Sequence, residues 1–224
     1  MRYSARGRLT AFFYMHELNL NKYSFTRECD FPQWLMDERH VNIIHNLVME
    51  CDFDHIVEIG CYSGFSTVAL IESLNKGKLF DLHLIEPYPT QKLLSALSMC
   101  ENSKRILLHE HQSKYILNQI GKTDLIIIDG DHSLDGAGGD LLFSLRNSIP
   151  NIIAHDTNED KSDKDKYPCL GAGLIGHVLR KHEDYMSVED FKTRAGEVTD
   201  RGLLFATTNK KNYAIAGKIF DENI

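Results

Sequence analysis

Five short apolar runs in this chain each stop at a polar, usually acidic, residue. They are His55-Ile-Val-Glu58, Leu79–Ile85 before Glu86, Arg105–His109, Asp124–Ile128 before Asp129, and Asn151–Ala154 before His155-Asp156. Stretches of helical spacing separate them: Phe65–Leu74, Gln91–Cys100, Tyr115–Ile120 and Asp140–Arg146. Strands this short and apolar are buried on both faces, and their alternation with helices builds βαβ units around a parallel sheet. Beyond a further helix at Leu174–Leu179, Phe191–Val198 and Leu203–Thr207 read as strands joined by a turn at Asp200-Arg201-Gly202. They predict an antiparallel hairpin at the sheet edge. The expected class is α/β, doubly wound and mostly parallel, with helices on both faces. Residues 1–50 read as an N-terminal helical cap segment, with Trp34, Leu35, Met36, Val41, Ile44, Leu47 and Val48 at helical spacing. Residues 51–224 form the sheet domain.

Composition bounds the function. The 224 residues suit one sizeable domain, or one with a small appendage. With 25 basic and 32 acidic residues the net charge is -7, which argues against a protein devoted to nucleic acid or to an anionic membrane. The five cysteines are widely spaced and form no C-x-x-C pair, as expected in a reducing compartment. The apolar stretch Ala11–Met15 is too short for a signal peptide, and no run approaches the length of a membrane span. The expectation is a soluble, cytoplasmic protein. Phe12, Phe13, Tyr14, Tyr23, Phe25 and Phe31 give the N-terminal segment exposed-looking aromatics, suited to capping a site or to a homodimer contact. The charged stretch 158–168 reads either as a solvated loop or as a lid.

In an open parallel sheet, ligands bind at the carboxyl ends of the strands. Those ends carry Glu58 with Gly60, then Glu86, His111-Gln112-Ser113, Asp129-Gly-Asp131-His132, and His155-Asp156. Helix capping explains one or two such carboxylates, but not a loaded end on nearly every strand. The first turn, Glu58-Ile-Gly60-Cys-Tyr62-Ser63-Gly64-Phe-Ser66, lacks the dinucleotide pattern G-x-G-x-x-G and the nucleophile elbow G-x-S-x-G. Gly121-Lys122-Thr123 lacks the first glycine of a phosphate loop and precedes a strand, so it reads as a turn. Gly60 and Gly64 let the backbone approach a ligand closely. Glu58 beside that turn suits an ammonium group and disfavours pyrophosphate. Glu86 stands where a carboxylate binds ribose hydroxyls. A ligand with an amino acid end, a ribose end and no phosphate is S-adenosylmethionine.

Val57–Ser66 resembles the first motif of class I S-adenosylmethionine-dependent methyltransferases, Leu84-Ile-Glu86-Pro87 their second, and Ile126-Ile-Ile-Asp-Gly-Asp-His132 their fourth-strand motif. The resemblance covers roughly residues 40–158 and implies their Rossmann-like sheet. Asp129-Gly-Asp-His-Ser133 followed by Ala154-His-Asp-Thr-Asn158 is similar to a metal-assisted O-methyltransferase subgroup. It includes macrolide and aminocoumarin sugar O-methyltransferases and cephalosporin hydroxylase-like proteins. The resemblance implies a divalent cation, Mg²⁺ or Mn²⁺, at Asp156 and at Asp129 or Asp131. His155 stands where those relatives carry Asp or Glu. Mg²⁺ prefers oxygen ligands, so an Asp/Asp/His set suits Mn²⁺, Fe²⁺ or Zn²⁺ better.

The expected cofactor contacts are Glu58 at the methionine amine, Gly60, Tyr62, Ser63, Gly64 and Ser66 in the turn, Glu86 at the ribose, Gln112 and Ser113 at the adenine, and Asp129. The expected metal set is Asp129, Asp131, His155 and Asp156. Asp131 or His132 takes the acceptor proton, because a neutral hydroxyl is a poor nucleophile. The leading function is methyl transfer, with oxygen the expected target, to a small hydroxylated or sugar acceptor. The competing readings are a metal-dependent hydroxylase or hydrolase on the same scaffold, and a non-catalytic cofactor-binding protein.

Overall fold

A computed structural model describes residues 15–28, 35–158, 170–192 and 198–222. The charged stretch expected as a loop or lid lies outside them except for Asn158, as do Phe12, Phe13, Tyr14, Phe31, Trp34, Cys29 and Cys169.

One seven-stranded sheet has the order β3-β2-β1-β4-β5-β7-β6. Its parallel part is β1 (His55–Ile59), β2 (Asp81–Ile85), β3 (Ile106–His109), β4 (Leu125–Ile128) and β5 (Asn151–His155). The chain reverses in β7 (Val198–Thr207), which pairs antiparallel with both β5 and the edge strand β6 (Met186–Lys192). The reversal of order between β1 and β4 creates a crevice at the carboxyl ends of those strands.

Side chains alternate strictly across the sheet. Ile56, Leu82, Leu84, Leu125, Ile127, Ile153, Leu203 and Phe205 face one layer. That layer is built from α1 (Glu38–Glu50), α2 (Thr67–Asn75), α3 (Gln91–Ser98) and α7 (Lys210–Asp221). Val57, Ile59, Ile126, Ile128, Ile152 and Leu204 face the other, where α5 (Leu134–Arg146) and α6 (Leu170–Lys181) lie. Each such side chain contributes roughly 1.5–3 kcal/mol when fully buried. The period-two pattern therefore fixes the register strongly, because a one-residue slip would exchange the two faces. α1 starts at Asp37, whose carboxylate accepts from the Arg39 amide at 2.8 Å. Its Val41, Ile43, Ile44 and Leu47 are fully buried, so this helix belongs to the same core as the sheet.

The fold class agrees with expectation, and four local readings change. Asp200-Arg201-Gly202 is not a turn but lies inside β7, so Arg201 sits on a strand beside the carboxyl end of β5. β6 begins at Met186 rather than Phe191. α5 begins at Leu134, capped by the Ser133 hydroxyl, which accepts from the Gly136 amide at 3.0 Å; Gly136, Gly138 and Gly139 hide its first turns from a periodicity count. Tyr23, expected to be exposed, is fully buried in a 3₁₀ helix, Leu20–Arg27, and its hydroxyl donates to Glu72.

Candidate active site

The carboxyl ends of β1, β2, β4 and β5, together with α4 (Ser113–Ile116) and part of β7, enclose a cavity of about 1170 Å³. That is room for a cofactor and a small acceptor together, since single-ligand sites run to roughly 300–1,000 Å³. Gly60, Tyr62, Glu86, Gln112, Ser113, Asp129, Asp131, His132 and Asp156 line it. Glu58, Ser63, Gly64, Ser66 and His155 were also expected at the site, and they do not line it.

The turn after β1 is shaped by positive φ angles: +85° at Gly60, +86° at Gly64 and 44° at Tyr62. A Cβ on Gly60 would stand 2.2 Å from the Asp129 carbonyl oxygen, so only glycine lets this turn lie against the β4 end. Glu86 holds the turn from the next strand. Its Oε2 accepts from the Tyr62 amide at 2.8 Å and the Cys61 amide at 3.2 Å, and its Oε1 accepts from the Tyr88 amide at 3.0 Å. A carboxylate has about four acceptor positions, so at least one remains for a ligand hydroxyl on the cavity side.

Glu58 departs from its expected place. It points to the α1/α2 side, where Oε1 accepts from the Ser66 hydroxyl at 2.7 Å. Oε2 is buried with no hydrogen-bond partner among the described residues. Burial pushes the carboxyl up to about 7, against the bond from Ser66. Ser63 and Ser66 are likewise buried behind the turn. These three residues support the turn from behind.

The acidic end of the cavity is built from β4, β5 and β7. His155 Nδ1 lies 3.1 Å from Asp129 Oδ1, so that nitrogen carries the proton and donates to the carboxylate. His132 Nε2 stands 3.5 Å from both Asp129 Oδ1 and Asp156 Oδ2. Burial opposes ionisation of Asp129, but His155 and His132 beside it hold the carboxyl below its ordinary value. Asp156 has a φ of 57°, a strained value for a residue with a side chain. Arg201 grips it in a fork: Nε donates to Oδ1 at 2.6 Å and Nη2 to Oδ2 at 2.8 Å. Burial would push Asp156 up, but His155 and Arg201 hold it well below the usual carboxylate range. Arg201 Nη1 also donates to the Leu35 carbonyl at 2.5 Å.

Asp129, His132 and Asp156 each offer a donor atom within 4.8 Å of the others, the spacing of a metal triad. This set differs from the expected Asp129, Asp131, His155 and Asp156. Asp131 Oδ1 accepts from the Ser133 amide at 3.0 Å, and its carboxylate lies over Gly136 at the start of α5. His155 is enclosed beneath the site, with its Nε2 buried. Two charged cavity residues stand out among those to which the sequence reading gave no site role. Arg201 was read as part of a turn. Asp140, read only as the first residue of a helix, sits on α5 beside Ser113, its carboxyl pushed up to about 6 by burial.

Residues 57–157 match the model of a methyltransferase domain family. No curated protein matches the chain by sequence. Among solved structures, the chain is similar to the O-methyltransferase TomG of Streptomyces achromogenes in complex with S-adenosylmethionine. That likeness has 18% identity and a TM-score of 0.67, over 85% of this chain and 89% of that one. It is also similar to an O-methyltransferase from Bacillus cereus bound to S-adenosylhomocysteine, at 15% identity and TM-score 0.65, over 85% and 90%. A third is methyltransferase PaMTH1 of Podospora anserina, also bound to S-adenosylhomocysteine, at 16% identity and TM-score 0.62, over 85% and 87%. Identities this low speak for the fold alone. The strand order and the glycine turn held by Glu86 are those of the class I methyltransferase fold, and residues 57–157 within it match a methyltransferase domain.

Proposed function

We propose that the enzyme transfers the methyl group of S-adenosylmethionine to a hydroxyl oxygen of a small acceptor. The observation that carries this reading is the shared cavity: the Glu86-held turn and the Asp129–His132–Asp156 group open onto one space. The cofactor's ribose would lie at Glu86 and its adenine towards Gln112, Ser113 and Asp140. The acceptor would lie at the β4 and β5 ends. The acceptor oxygen attacks the methyl carbon, the carbon–sulfur bond breaks towards sulfur, and the hydroxyl proton must leave. His132, which lines the cavity with its side chain 28% exposed, is the base at that end, and the two carboxylates beside its Nε2 stabilise the cation it becomes.

The subgroup that the sequence resembles uses a divalent ion. The spacing of Asp129, His132 and Asp156 suits a metal. Their surroundings do not: the Arg201 guanidinium lies against both oxygens of Asp156 and repels a second cation there, and the imidazoles of His155 and His132 stand beside Asp129 where Mg²⁺ prefers oxygen. No step is assigned to an ion.

We also propose that residues 1–50 cap the acceptor side, which the Arg201 bond to Leu35 supports, and that the protein is a cytoplasmic homodimer. The described cysteines Cys51, Cys61 and Cys100 are free and buried, in keeping with a reducing compartment. Among the described residues no helix is long and apolar enough to cross a membrane. A single protomer mass in light scattering at tens of micromolar would refute the dimer.

Calorimetry with S-adenosylhomocysteine, followed by S-adenosylhomocysteine release from S-adenosylmethionine with catechols and hydroxylated sugars, tests the activity. Glu86→Ala removes both the brace of the turn and the ribose contact, and should weaken binding by about 2–3 kcal/mol, or roughly 30- to 150-fold. Undiminished affinity in that variant would sink the cofactor placement. Binding without turnover on any acceptor would favour the non-catalytic reading.

A further inference from the structure

We infer that Arg201 is the resident cation of this site, so that the enzyme works without a divalent ion, and that the Asp129/His132/Asp156 triad becomes a metal site only when Arg201 is removed. The methyl-transfer half of this rests on the function proposed above; the metal-binding half does not.

Three features carry it. First, the guanidinium uses two nitrogens on the two oxygens of Asp156, at 2.6 and 2.8 Å. An ion at the triad would have to share one of those oxygens with a fork-shaped charge-assisted pair, which already draws on its negative charge. Second, the group is fixed. Its third nitrogen is bonded to the Leu35 carbonyl, and the next residue, Gly202, accepts at its carbonyl from the Thr157 amide at 3.3 Å. A positive charge fixed there would repel any cation seated against Asp156. Third, each acid already has a donor or an imidazole beside it. Asp129 has the His155 donor at 3.1 Å, Asp156 has Arg201, and His132 stands between the two carboxylates. Removing Arg201 would leave two acids, one of them buried, facing each other across an imidazole, an arrangement that a divalent ion relieves.

Arg201 lines the cavity with its side chain 22% exposed. It can therefore lend positive charge to an acceptor oxygen as it loses its proton, a service that a metal performs in metal-assisted enzymes.

The test is a titration of Mn²⁺ into chelator-treated protein, followed by the electron spin resonance signal of free Mn²⁺. Wild type and Arg201→Lys should show no saturable site. Arg201→Met should acquire one, tighter than any wild-type binding by roughly a hundredfold, the upper end of what groups around a metal site contribute. Asp156→Asn in the Arg201→Met background should abolish it. Near-ultraviolet circular dichroism reports whether Arg201→Met keeps its packing; if it unfolds, the wild-type and Arg201→Lys titrations decide. Saturable Mn²⁺ binding in wild type that Asp156→Asn removes would overturn the inference, as would a folded Arg201→Met that binds none. Where turnover is measurable, wild-type rates should not change with EDTA. Absence of turnover with every acceptor would count against the proposed reaction and leave the titration to decide the metal question.

Discussion

Glu58 has one hydrogen bond for two oxygens, and this has a thermodynamic signature. Its carboxyl is raised from an ordinary value of 4.5 to about 7, chiefly by burial. Below pH 4.5 the native and unfolded states both hold the proton, and the residue imposes no penalty. As the pH rises from 4.5 to 7 the unfolded chain ionises while the native protein does not, so stability falls by about 1.4 kcal/mol per pH unit. Above pH 7 the loss is complete, on the order of 3 kcal/mol. Glu58→Gln, which cannot ionise, should therefore be more stable than wild type at pH 8 and close to it at pH 4.5. Urea midpoints at the two pH values check this, and an equal difference at both would contradict it. That an acid ends β1 was readable from the run His55-Ile-Val-Glu58. Which way it points was not, because Ile59 intervenes and the positive φ angles of the turn swing the following residues towards the cavity. Glu86 was readable in both respects, since it directly follows the last residue of β2.

At the scale of elements, the turn between β1 and α2 is the part that tolerates least. Gly60 combines a φ of +85° with an approach of 2.2 Å between any added Cβ and the Asp129 carbonyl. Backbone lies on the far side, so no flexible side chain can give way. Gly60→Ala must therefore part the turn from β4 or distort both, at a cost of about 3 kcal/mol or more. It should lower the thermal midpoint and abolish S-adenosylhomocysteine binding together; a variant that stays stable and binds normally would show that the turn is free to move. β1, β4 and β5 were visible in the sequence because their β-branched runs are buried on both faces. α7 was not expected at all, although Asn209 caps it through bonds to the Lys211 and Asn212 amides at 2.8 and 3.4 Å. Its buried face needs only Asn212, Ala216, Ile219 and Phe220, too sparse a stripe to stand out. β7 was cut short for a related reason: Asp-Arg-Gly has turn composition, and it lies at an irregularity of the strand, between the pairings Leu203–Asp190 and Val198–Lys192. Arg201, the residue that most changes the reading of the site, was lost with it.

Across the whole molecule, a buried polar chain ties the site to the far end of the polypeptide. Asp129 meets His155, whose ring stands edge-on to His40 with centroids 5.3 Å apart. His40 Nε2 lies 3.6 Å from Asp190 on β6, and burial lowers its affinity for a proton, keeping the ring neutral. Asp190 Oδ2 accepts from Arg39 Nε at 2.9 Å and Nη2 at 2.6 Å. The same guanidinium donates to the carbonyls of Phe220 and Glu222, each at 3.0 Å, which fastens the end of α7. Arg39 and Asp190 are 4% and 3% exposed, so this pair has lost nearly all its hydration. Such a pair adds little net stability when intact, yet losing one member is expensive because the other charge stays buried. Arg39→Met should thus lower stability by about 3–5 kcal/mol, a large share of a typical domain's total. The double variant Arg39→Met/Asp190→Leu should recover most of that, since no buried charge then lacks its partner. Denaturant unfolding of the single and double variants measures the difference. If the double variant is as unstable as Arg39→Met, the cost comes from losing the bonds to Phe220 and Glu222, and the anchoring of α7 rather than charge pairing holds this end of the molecule together.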